Sequence, residues 1–222
     1  MTKLTSAIKK RITRDWQEYF PELGEYKPMW IMKRAGCLIV GIALERDSSN
    51  SVYHPTVHTH VLGKGFPVVS LTLAQRLVTE KTQAPEAIRA THHDKHIPEA
   101  CERLRRQCPL PLSGPMQWSE IEKAYTSQIS KQHFPLELHE DLILIAAWWA
   151  PASEARVFFQ TVADRLAAWP GAIFADGYNR WREKFSQLVT DRQLLEKSVS
   201  IEVDRLRLET LPTFSVQWDA GE

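Results

Sequence analysis

The chain has 222 residues, 43% of them hydrophobic and 25% charged, with a net charge of +1. That length suits one large domain or two small ones around a sizeable core, and the near-neutral balance removes any global attraction to nucleic acid or to an anionic membrane. Three cysteines without a CxxC pair speak against a disulfide framework and a four-cysteine zinc site and suit a reducing cytoplasm, and no apolar run is long enough to span a bilayer.

Leu4, Ile8, Ile12 and Trp16 recur at intervals of four and predict an amphipathic helix, with Lys9, Lys10, Arg11 and Arg14 on its other faces. No apolar stretch follows these basic residues, so no secretory signal is expected. Pro21 and Gly24 end the helix. In MWIMKRAGCLIVGIALERD two strands join around Ala35 and Gly36, and the second, from Cys37 to Glu45, is apolar on both faces, as a central covered strand is. A third strand, HPTVHTHVL, runs from His54 to Leu62, and GKG turns the chain into FPVVSLTL. Short connections make this meander antiparallel.

Residues 79–117 carry five prolines, and Pro98 fits the first turn of a short helix ending at Gln107. Because the residue before a proline avoids helical geometry, THHDKH at 91–96 reads as a loop. From Trp118 onward the pattern is helical. Ile121, Tyr125 and Ile129 share one face; LELHEDLILIAAWWA is apolar nearly all round and predicts a buried helix; Ser153 caps a helix with Val157, Phe158, Val162, Leu166 and Trp169 inward. A last helical stretch covers 173–208, started or interrupted at Gly177, with Trp181, Phe185, Leu188 and Leu195 in its stripe. The tail PTFSVQWDAGE is expected as an edge strand or a free end.

Strands segregated from helices indicate an α+β fold: an N-terminal helix with a small antiparallel sheet of three to four strands (1–78), a proline-rich irregular connection with a short helix (79–117), and about four helices (118–222) packed on the sheet as one domain.

Alternation places His54, His58 and His60 on one face of their strand and Val57, Thr59 and Val61 on the other. The valine face is expected to pack on helices and the histidine face to border solvent or a cleft. His58 and His60, two positions apart on a strand, suit a shared divalent metal such as zinc, with His92, Asp94 and His96 completing the ligand set and metal-bound water serving a hydrolase. No GxSxG elbow, phosphate loop or dinucleotide fingerprint is present. By elimination, the leading expectation is a cytoplasmic accessory or immunity-type protein that binds a protein partner through His54, His58, His60, Trp30 and Trp149. A metal-dependent hydrolase is the alternative. A weaker one is a nucleic-acid-binding protein that uses the N-terminal helix with Arg103, Arg105 and Arg106. The apolar helix LELHEDLILIAAWWA would also serve a homodimer.

Overall fold

A computed structural model describes residues 3–219. Its fold is α+β. Helix α1 (Ser6–Tyr19) starts where the Thr5 hydroxyl accepts the Ile8 amide, and buries Ile12 and Trp16 as their spacing predicts. A sheet follows, with strands β1 (Gly24–Lys27), β2 (Trp30–Ala35), β3 (Leu38–Arg46), β4 (Val52–Val61) and β5 (Thr72–Arg76) adjacent in that order and antiparallel. A short β6 (Ile88–Arg89) also pairs with β4, at Val52 and Tyr53. The sheet is therefore wider than the three to four strands expected. β1 and β6 are too short, at four and two residues, for alternation to register.

β3 is central and buried on both faces from Leu38 to Leu44. β4 beside it carries Pro55, whose missing N–H falls where its outer partner changes from β6 to β5. Residues 66–71, expected as strand, form instead a covering segment, and pairing resumes only at Thr72. Pro67 withholds a ladder donor there, and Leu73 takes a φ of +47°.

Helix α2 (His93–Gln107) begins five residues earlier than expected, with Pro98 inside it. Burial of His93 and Ile97 on its inner face outweighs the hydrogen bond that the proline removes. Five helices complete the chain: α3 (Trp118–Ile129), α4 (Leu136–Trp149), α5 (Ala152–Leu166), α6 (Tyr178–Thr190) and α7 (Arg192–Leu206). The stretch expected as one long helix starts at Gly177 and breaks between Thr190 and Arg192, where the Asp191 carboxylate accepts the Leu194 amide and opens α7. The tail returns as β8 (Val216–Gln217), parallel to β7 (Met116–Gln117). Tyr53, Val57, Thr59 and Val61 lie on the helix-covered face of the sheet, where the Thr59 and Tyr125 hydroxyls meet at 2.8 Å. Among the described residues no helix is long and apolar enough to cross a membrane.

Candidate functional site

The histidine face of β4 is closed rather than wet. His58 and His60 are fully buried, and His54 is half-buried with its Nδ1 donating to the Glu86 carbonyl. Over His60 the covering comes from the segment after the GKG turn. The Phe66 ring lies 6.3 Å from that of His60, and Arg205 of α7 donates to the carbonyls of Gly65 and Phe66, which pins the segment down. His58 packs edge-on against Trp30 at 5.1 Å. Burial pushes the His58 pKa down to about 4 and that of His60 down to about 3. Both rings are neutral at pH 7.

The bonds to His60 also fix its tautomer. The Ser70 amide, which can only donate, points at Nδ1 at 3.1 Å, and the Ser70 hydroxyl lies 2.8 Å from the same nitrogen. Nδ1 is therefore the acceptor and the ring proton sits on Nε2. A metal-binding imidazole usually has the reverse arrangement, with its second nitrogen donating.

The other cluster lies elsewhere. His92 is exposed, His96 is half-buried with its ring 6.1 Å from that of His92, and Asp94 pairs with Arg11 across 3.5 Å at the surface. His93 is the inward member. It meets Tyr53 at the start of β4, whereas His58 and His60 are five and seven residues further along the strand, roughly 17 and 23 Å at strand rise. The two histidine groups expected to form one ligand set do not converge.

Sequence reasoning missed what His93 does. The Trp16 indole N–H donates to the Tyr53 hydroxyl at 3.2 Å, the hydroxyl lies 2.7 Å from His93 Nδ1, and His93 Nε2 lies 3.1 Å from an Asp15 oxygen. The Asp15 carboxylate can only accept, so neutral His93 carries its proton on Nε2 and its Nδ1 accepts from the Tyr53 hydroxyl, which in turn accepts from Trp16. Burial lowers the His93 pKa, and Asp15 partly offsets the shift. Asp15, His93 and Asp94 are the one set of three among the described residues whose ligand atoms lie within 4.8 Å of one another. In this chain of bonds the His93 Nε2 lone pair is occupied by its proton. Trp16 and Tyr53 are fully buried, so the chain ties α1, β4 and α2 together.

A second buried network joins the sheet to the helices. Lys64 of the GKG turn pairs with Asp141 of α4, both nearly inaccessible, and the Tyr125 hydroxyl donates to the same carboxylate at 3.0 Å. Burial raises the Asp141 pKa to about 6, against the pull of Lys64. The Gly63 and Gly65 amides both donate to Glu202 of α7.

Trp30 and Trp149, expected on a partner surface, are half-buried. Lys27 sits 4.3 Å over the Trp30 ring, and Trp149 lies 6.3 Å from Trp148. The arginine group is engaged within the chain. Arg103 grips both Glu86 oxygens at 2.6 Å, Arg106 pairs with Glu80 at 2.7 Å, and Arg105 lies over the Phe20 ring at 4.6 Å.

An open, mostly apolar cleft lies on the helical half. Of about 690 Å³, it has α3 and α5 as walls and His139 and Leu142 of α4 as floor. That volume is within the usual range for ligand sites. Val157, expected inward, is 67% exposed on its wall, and Phe158 is half-buried. The reason is helical phase: Ala155, Phe159, Val162, Ala163 and Leu166 form the buried stripe of α5, so positions 157 and 158 flank it. At one end Trp218 stacks on Trp118 at 4.5 Å and donates its N–H to Glu154 at 2.7 Å. At the other, His139 is nearly buried against Trp169, its pKa lowered to about 4 by desolvation and then by Arg165. Comparison with protein-family models, curated proteins and solved structures finds no match.

Proposed function

We propose that this chain acts by recognition, as an accessory-type protein that docks an apolar segment of a protein partner in the cleft between α3 and α5. One observation carries it: an open, mostly apolar cleft of about 690 Å³ in which Val157 stays 67% exposed, although a monomer gains by burying such a group. The polar clusters elsewhere support it indirectly, since His93, Lys64 and Asp141 each have their bonding capacity directed into the fold. The partner surface thus moves from the histidine strand, which is covered, to the helical half. Free Cys37 and Cys101 are buried, which fits a reducing cytoplasm.

The test is selection of a displayed library of twelve-residue peptides on the intact protein, with counter-selection on a Val157→Asp variant. Peptides that bind the parent and lose at least about ten-fold affinity on the variant, a change of about 1.4 kcal/mol, support docking in the cleft. Failure to enrich any peptide that discriminates the two proteins removes the proposal.

A further inference from the structure

The cleft has a direction. Trp118 meets Phe158 edge-on and Trp218 joins Glu154, so the starts of α3 and α5 lie together. Ile129 at the end of α3 and Arg165 at the end of α5 line the cleft too. Both walls therefore run the same way, opposite to α4 beneath them. From Glu154 to Arg165 the cleft extends roughly 17 Å at helical rise.

Its charges are sorted along that length. Glu122 and Glu154 line the end at the start of the walls, and Asp219 beside them bonds Ser119. Arg165 stands at the far end and forms no ion pair among the described residues. The histidine on that floor, His139, is neutral at pH 7. Between the ends the lining is mostly apolar, Leu142, Val157, Phe158 and Val162, with the hydroxyls of Thr126 and Thr161 among them. An apolar trough of about three helical turns, acidic at one end and cationic at the other, matches one kind of occupant. An amphipathic helix presents an apolar stripe, partial positive charge at its N-terminus and partial negative charge at its C-terminus.

Resting on the recognition proposed above, we infer that the partner's docking element is an amphipathic helix of about three turns, seated parallel to α3 and α5, with its N-terminus at Glu122 and Glu154 and its C-terminus at Arg165. Side chains that reinforce these ends, lysine or arginine in the first turn and aspartate or glutamate in the last, tighten it.

Three synthetic twelve-residue peptides on a leucine–alanine stripe test this by fluorescence anisotropy against the intact protein. One has lysines in the first turn and glutamates in the last, one has them exchanged, and one has the first pattern with a central proline. Lysines in the first turn and glutamates in the last oppose the peptide's own dipole, so orientation is read from the change between proteins. The affinity ratio of the first to the exchanged peptide is expected to fall at least about ten-fold on a Glu122→Lys, Arg165→Glu protein whose circular dichroism matches the parent, and the proline peptide to bind about ten-fold more weakly than the first. An affinity ratio that is the same on both proteins, or that rises on the variant, overturns the orientation. Undiminished binding of the proline peptide overturns the helix. In both cases docking in the cleft survives. If none of the three binds while library peptides do, the helix is wrong and recognition stands; if library peptides fail as well, both fall. A protein that sediments as a dimer, and as a monomer once Val157→Asp is introduced, makes a second copy the occupant and overturns the partner helix.

Discussion

The buried face of β4 makes stability depend on pH in a way that one substitution isolates. His58 is 0% exposed and its pKa is lowered to about 4 from 6.5. Between those values the unfolded chain binds a proton that the folded chain refuses, so stability rises with pH across the window. The favourable difference is fully present above pH 6.5 and is lost as the pH falls toward 4. One pKa unit is worth about 1.4 kcal/mol, so at pH 5 His58 alone removes about 2 kcal/mol relative to neutral pH. Total stabilities of domains are about 5–15 kcal/mol, which makes the loss visible. The substitution is His58→Leu, close in volume and without a titrating ring. Urea unfolding of parent and variant at pH 7.5, 6 and 5 is the assay. The parent is expected to lose about 2 kcal/mol more than the variant between pH 7.5 and 5. Asp141 shifts in the opposite sense, its raised pKa favouring the folded state as the pH falls toward 4, but it is common to both proteins and cancels in the difference. Parallel losses in parent and variant, or an imidazole that titrates near 6.5 by nuclear magnetic resonance in the folded protein, would refute the closed histidine face.

Tyr53→Phe leaves the Trp16 N–H and His93 Nδ1 without a partner in a buried site; the expected loss is about 2–4 kcal/mol in denaturant titrations. Adding His93→Leu should then cost less than it does in the parent, and strict additivity would show that the bonds are not coupled. Lys64→Met strands the Asp141 carboxylate and is expected to cost about 3–5 kcal/mol at pH 7.5, with a smaller cost below pH 6, where Asp141 takes up a proton; a loss independent of pH counts against the ion pair. Gly36→Ala combines a φ of +44° with a Cβ driven into the Trp148 indole, so thermal unfolding should show a drop of at least about 2 kcal/mol, larger than that of Gly65→Ala, which has a φ of +88° and open space around it.

The strand HPTVHTHVL was legible as a strand, and its alternation assigned the right residues to each face. What covers each face was not legible. Histidines are usually exposed or half-exposed, and the segment that closes over His60, from Phe66 to Leu71, carries the same β-branched and aromatic composition as a strand. Only its contacts with His60 and α7 reveal it as a lid. The helix start at His93 was hidden because Pro98 is a strong local signal against it, and local signals do not weigh the burial of Ile97. Asp15 and His93 are 78 positions apart, so no spacing rule joins them. The cleft was hidden for a subtler reason. Val157 and Phe158 fit an apolar stripe as well as Phe159 and Val162 do, and a phase difference of about 100° per residue decides which pair faces the core.

The clamp on the GKG turn sets the order in which the fold can be completed. Lys64 must wait for Asp141, 77 positions later, and Gly63 for Glu202, 139 positions later. Hairpins β2–β3 and β3–β4 close locally, whereas the turn beyond them gains its Glu202 contacts only once α7 is in place. Loop-closure entropy must be paid before such distant contacts return anything. The last strand pair, β7 with β8, joins Met116 to Val216 and seals the helical half later still. A chain that ends before residue 202 lacks the carboxylate that accepts the Gly63 and Gly65 amides, and so lacks the latch on the turn that precedes the histidine lid.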